Sequence, residues 1–281
     1  MTTARNPIHF IGWPIGRGHV AAGLAALLIA IGSGSAPIPD IAASGDRPDL
    51  ARPHLMTDEI GDVIVRIRGG AVCTGTPITG TNYVVTAAHC VLDRDGHVSE
   101  SRTVLRSGVE YTAVSVLINT EYHDTPVPRL DAAVLVMDRA IAGPSALLGD
   151  SYPADRPFTL VGQQPLDTDG TLLRGTRYDN RPLPKGAIRE GVEIETAAAG
   201  CVHPVSDLEI TPIRVEVPCG LIPGASGGGL FVEDDGELIL VGVLSTVAPD
   251  LTYNGVAPLE AVHELLDNPA AYTHKMPHGA P

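Results

Sequence analysis

Residues 83–90 read Tyr-Val-Val-Thr-Ala-Ala-His-Cys. Tyr83 to Thr86 is a strand in waiting, because β-branched and aromatic side chains suit a pleated, half-buried surface. Two alanines then carry the chain to His89, and Cys90 fixes its far side. A general base needs a rigid, partly desolvated seat, and this setting supplies one. The other nine of the ten histidines are read as packed or solvated side chains.

The same texture extends outward from this strand. Short apolar runs separated by turn residues occur at DVIVRI from Asp62, YTAVSVLI from Tyr111, AAVLVM from Ala132, FTLVG from Phe158 and VEIETAAA from Val192. IRVEV from Ile213, GLFVE from Gly229 and LILVGVLSTV from Leu238 continue it. With 31 Gly, 24 Pro and only 4% aromatic residues in 281, the chain reads as all-β. The polar, Pro-containing stretch from Pro144 to Pro157 divides the runs into two units, at about 61–145 and about 150–257. Leu259, Val262, Leu265 and Leu266 fall at helical spacing and predict a closing helix over about 258–267, packed on the second unit. Residues 268–281 read as a flexible tail.

The ends and the charge bound the function. Arg5 and Arg17 precede an apolar run from Val20 to Ile31 that is followed by Gly-Ser-Gly-Ser-Ala, the order of an export signal ending near residue 36. That run is shorter than the roughly 20 residues a membrane span needs. The expectation is a secreted protein, extracellular or periplasmic, and the alternative is one anchored by an uncleaved signal. Residues 37–60, rich in Pro, Asp and Ala without periodicity, read as a linker or short pro-segment. Nineteen basic against 33 acidic residues give a net charge of −14, which argues against nucleic acid or anionic lipid as partner. Four cysteines in an exported chain favour two disulfides. Of three connectivities, the local one joins Cys73 to Cys90 and Cys201 to Cys219, and no C-x-x-C supports a metal site.

Two further places carry chemistry. In Gly224-Ala225-Ser226-Gly227-Gly228, glycines let the backbone adopt conformations closed to other residues and bring the amides of Gly224 and Ser226 to one point. A serine there is inert unless a base takes its proton. Asp131, in Arg129-Leu130-Asp131-Ala132-Ala133, stands at the head of an apolar run, where a carboxylate can hold an imidazole N–H.

Taken together, Thr86-Ala87-Ala88-His89-Cys90, the Asp131 segment and Gly224-Ala225-Ser226-Gly227-Gly228 resemble the motifs of the chymotrypsin-like serine proteases, in that family's order. The resemblance covers roughly Asp62 to Asp267. It implies two antiparallel six-stranded β-barrels with a C-terminal helix, and a triad of His89, Asp131 and Ser226 in the cleft between them. It further implies an oxyanion hole from Gly224 and Ser226, a pocket from Gly220, Leu221, Ser245, Val247 and Gly255, a protein or peptide substrate, and no cofactor or metal. Because Gly220, Leu221, Ile222, Val247 and Ala248 are uncharged, cleavage after small or medium apolar residues is expected. One departure stands out: family members commonly carry an aspartate before the serine, paired with a buried positive charge, and here that residue is Ala225. Two other readings compete, a catalytically inactive binding module of the same fold and an α/β-hydrolase esterase built on Gly224-Ala225-Ser226-Gly227-Gly228 as a nucleophile elbow.

Overall fold

The computed structural model describes residues 53–276 apart from 58, 70–71, 94, 99–101, 154, 167–169, 173–194, 212–213 and 249–251. The expected export signal and most of the 37–60 linker lie outside the described residues. The chain separates into residues 1–45 and residues 46–281, and every element below belongs to the second unit.

Seven strands come first: β1 (His54–Leu55), β2 (Val65–Arg68), β3 (Cys73–Pro77), β4 (Tyr83–Thr86), β5 (Thr103–Arg106), β6 (Val109–Ile118) and β7 (Ala133–Met137). Six of them form an antiparallel sheet in the order β6-β5-β2-β3-β4-β7, and a further β6–β7 ladder closes it into a barrel. Closure depends on a bend in β6. That strand pairs with β5 through Val109–Thr112, shifts register between Ala113 and Ser115, and then pairs with β7 as far as Ile118. A bulge of this kind adds the local twist that lets a sheet curl onto itself. Val65, Ile67, Val84, Val104, Val134 and Leu135, each at most 1% exposed, lie in the apolar cluster that this barrel builds.

The second group comprises β8 (Leu147–Leu148), β9 (Phe158–Pro165), β10 (Thr196–His203), β11 (Glu209–Ile210), β12 (Val215–Val217), β13 (Gly229–Asp234), β14 (Glu237–Val247) and β15 (Asn254–Pro258). The sheet runs β1-β10-β9-β13-β14-β15-β12-β11, with β8 added parallel to β14. Here the expected six-stranded barrel is a half-barrel, since among the described residues no ladder joins β12 to β10. β12 has three residues and is followed by Pro218, which has no N–H to donate. The gap is spanned covalently instead. Cys201 on β10 and Cys219 just beyond β12 form a disulfide with Cα atoms 5.9 Å apart.

Three expectations about the ends are revised. The linker is not featureless to residue 60, because β1 pairs with the open edge of β10 and α1 (Glu59–Val63) follows it. An unpaired edge is covered in this way. After α2 (Glu121–Asp124), which precedes β7, the next helix is α3 (Glu260–Asp267), at the expected place. Its buried Val262 and Leu265 join the apolar cluster of the first barrel, so it packs back across β6 and β7 and not on the second unit alone. The tail also has structure: α4 (Pro269–Tyr272) leads into β16 (Thr273–Lys275), which pairs with Ser115–Leu117 of β6 where that strand has left β5. Among the described residues no helix is long and apolar enough to cross a membrane.

If Cys201–Cys219 closes the half-barrel, changing both cysteines to alanine lowers unfolding stability by about 3 kcal/mol, the value for a loop of this length. Urea denaturation measures it, and a loss below about 1 kcal/mol would show that hydrogen bonding alone holds the two ends together.

Candidate active site

His89 sits in a 3-10 turn, Ala88–Cys90, that ends β4. The turn is fixed from two sides. Cys90 is bonded to Cys73 on β3, and the buried Arg102 donates its Nε–H to the Cys90 carbonyl at 2.8 Å. Asp131 follows a second 3-10 turn, Pro128–Leu130, just before β7, and its side chain is wholly buried. A carboxylate without water must be satisfied by donors. Its Oδ1 accepts the His89 backbone N–H at 3.0 Å, and its Oδ2 accepts His89 Nδ1–H at 2.8 Å and the Ser245 hydroxyl at 2.6 Å. Because an ionised carboxylate only accepts, the proton is assigned to Nδ1, leaving the Nε2 lone pair free. The Tyr122 phenol is directed at the same carboxylate, and burial together with that negative charge raises its pKa above the ordinary tyrosine range.

Ser226 lies at the start of the path into β13. Gly224 has φ +109° and Gly227 φ +80°, conformations that side chains rarely adopt. At Gly227 a Cβ would also meet the Thr74 carbonyl oxygen at 2.2 Å. The N–H groups of Gly224 and Ser226 have no acceptor among the described residues, whereas their carbonyls do. Gly224 O accepts from Thr74 Oγ1 at 2.9 Å, and Ser226 O from the Thr74 N–H at 2.7 Å. Ala225 is buried in the apolar cluster of the second sheet against Gly162.

A cavity of about 250 Å³ opens beside these groups, lined among others by His89, Leu221, Ile222, Ser226, Val247 and Asn254. His89 and Ser226 thus share one space, with one-third of the His89 side chain exposed, but no hydrogen bond joins them. Of the residues expected in the pocket, Leu221, Ser245 and Val247 line it and Gly220 and Gly255 do not. Ser245 turns its hydroxyl away to Asp131. Gly255 stands behind the wall, where a Cβ would meet Thr246 Oγ1 at 2.3 Å.

Asn254 was not foreseen. Its Oδ1 accepts the Leu221 N–H and its Nδ2 donates to the Leu221 carbonyl, both at 3.0 Å. It clasps the pocket wall through both faces of its amide and spends its polarity there. No local signal marked it, since Asn254-Gly255 reads as an ordinary turn pair. Thr74 carried no local sign of its contacts, because the loop and Gln163 that its hydroxyl joins lie on the other sheet.

Comparison with known proteins gives the family and the fold. The family model described as trypsin-like peptidase domain matches residues 73–243, more than half of the chain. The chain belongs to that family. Its fold is similar to that of the solved structure of the protease Anisep from Arthrobacter nicotinovorans, at 16% identity and TM-score 0.55, covering 78% of this chain and 99% of that one. It is also similar to a Glu endopeptidase in complex with MPD, at 16% identity and TM-score 0.56, covering 78% and 96%. A thermostable serine protease, AL20, from an extremophilic microorganism matches at 13% identity and TM-score 0.52, covering 76% and 99%. No curated protein matches the chain. The antiparallel strand β13 directly after Ser226 removes the α/β-hydrolase reading, which requires a helix there.

Burial disfavours protonation of His89, but the hydrogen bond and charge of Asp131 outweigh it and hold the imidazole pKa above its ordinary value. Only the neutral ring can accept a proton. If His89 is the base of a peptidase, activity measured as kcat/KM rises with pH through a midpoint above the usual histidine value of about 6.5. Asp131→Asn is expected to move that midpoint down and to cost about four powers of ten in turnover. An unmoved midpoint would contradict the assignment.

Proposed function

We propose that this protein is a serine endopeptidase that hydrolyses peptide bonds through an acyl-enzyme intermediate. In this reading Ser226 attacks the substrate carbonyl, and His89 takes its proton at Nε2 and returns it to the leaving amine. Asp131 holds the ring and stabilises imidazolium. The N–H groups of Gly224 and Ser226 receive the oxyanion. The observation that carries it is the buried Asp131 carboxylate, bound to His89 Nδ1 at 2.8 Å, beside a cavity that holds both His89 and Ser226. Supporting it are the Gly224 and Ser226 N–H groups, both in the loop that bears the serine and both without an acceptor among the described residues.

The pocket favours a small or medium apolar residue before the scissile bond. Apart from His89 its described lining is uncharged, and an unpaired charge would be desolvated there at a cost. Acidic specificity, named for one structural neighbour, therefore has no counter-charge in this cavity. Two disulfides fit an oxidising compartment. With the signal-like residues 1–36 they favour an exported peptidase whose domain spans about 61–267 behind a short linker, with contact to the membrane only through an uncleaved signal.

A fluorophosphonate probe tests the reading without a known substrate. Wild-type protein should be labelled, Ser226→Ala should not, and His89→Ala should label at least about a thousand-fold more slowly. Folded wild-type protein that fails to label would make it an inert binding module, and labelling that survives Ser226→Ala would move the nucleophile elsewhere. On a peptide library, alanine or valine before the cut should exceed lysine or glutamate by about a hundred-fold.

A further inference from the structure

The loop around Ser226 poses a positioning problem. It holds two glycines at positive φ and two N–H groups without an acceptor, so left alone it would rotate its peptides to satisfy them. Among the described residues no ion pair holds it, and the residue before the serine is Ala225, a buried methyl group against Gly162.

The restraint comes from the other barrel. Thr74, on β3, is fully buried and contacts the loop twice. Its hydroxyl donates to the Gly224 carbonyl at 2.9 Å, and its backbone N–H donates to the Ser226 carbonyl at 2.7 Å. These carbonyls belong to the peptides on either side of the one that carries the Ser226 N–H. Each is also held at its own N–H: Ala225 N–H by the Ile222 carbonyl at 3.2 Å, and Gly227 N–H by the Leu244 carbonyl at 2.7 Å. The peptide between them is held at its own carbonyl, Ala225 O, which accepts the Gly228 N–H at 2.9 Å, so both it and its two neighbours are tied. Gly224 itself is held through its carbonyl by the Thr74 hydroxyl.

The hydroxyl has no alternative orientation. It already accepts the Gln163 N–H of β9 at 2.8 Å, so its single proton is directed to Gly224. The carbonyl of Thr74 is occupied in turn by the Thr86 hydroxyl at 2.7 Å, which ties the residue to the strand leading to His89.

We infer that Thr74 is a positioning residue, whose hydroxyl latches the loop across the two sheets and keeps the Gly224 and Ser226 N–H groups aimed at the oxyanion by neutral hydrogen bonds alone. This rests on the serine-peptidase reading above. It predicts a defect in the transition state and not in ground-state binding.

Thr74→Val keeps the shape and the backbone N–H but removes the hydroxyl, stranding Gly224 O and Gln163 N–H. It should lower kcat by about ten- to a hundred-fold with KM changed less than about three-fold. The inhibition constant of a peptidyl boronic acid, whose tetrahedral oxygen needs the same N–H groups, should rise in parallel. Thr74→Ser should restore wild-type values within about three-fold, and Thr74→Ala should resemble the valine variant. Equal kcat in wild type and Thr74→Val, or a loss confined to KM, would overturn the latch. So would failure of both the valine and alanine variants to fold, because the residue would then support the fold and not the loop. Folded wild-type protein that neither cleaves peptides nor labels with a fluorophosphonate would instead overturn the peptidase reading.

Discussion

A carboxylate with no exposure to water is the constraint on which this molecule turns. Isolated, a buried Asp131 would be expelled or neutralised. It is retained because donors converge on it from both halves of the protein, the backbone and ring of His89 from the first barrel and the Ser245 hydroxyl from β14 of the second sheet. The same bonds fix how the two sheets meet, which tautomer His89 adopts, and which nitrogen faces the cavity. One electrostatic requirement thereby aligns the fold and orients the imidazole.

The serine side is organised on a different principle. Among the described residues nothing that titrates touches the loop from Gly224 to Gly228 in the way Asp131 touches His89. It is held by a methyl group packed in the apolar cluster, by backbone bonds to Ile222 and Leu244, and by Thr74. The two arrangements are joined covalently. Cys73 precedes Thr74 and Cys90 follows His89, and their disulfide, with Cα atoms 6.1 Å apart, ties the strand that reaches the loop to the turn that bears His89.

Much of this was legible in local patterns. Tyr83–Thr86 became β4 and Cys90 its anchor because strand propensity, small residues and a disulfide acted over a few positions. Asp131 was marked by its place at the head of an apolar run, and Ser226 by glycines that only unusual backbone requires. What escaped was decided by long-range contact. Whether β12 would reach β10 depends on how far the second sheet curls, and no single strand encodes that. Gly220 and Gly255 were expected in the pocket, but the wall is set by Asn254 grasping Leu221 from β15. The tail looked featureless because β16 has little intrinsic preference and forms only where the bend in β6 leaves an edge to cover.

The most direct measurement is a crystal structure of the protein soaked with a peptidyl boronic acid carrying an alanine or valine next to boron. The account predicts a covalent bond from Ser226 Oγ to boron, one boronate oxygen accepting from both the Gly224 and Ser226 N–H groups, the apolar side chain in the cavity beside Val247, and His89 Nδ1 still bound to Asp131. An adduct on any other residue would contradict it, as would a Ser226 adduct whose oxygen faces solvent because the loop peptides have turned.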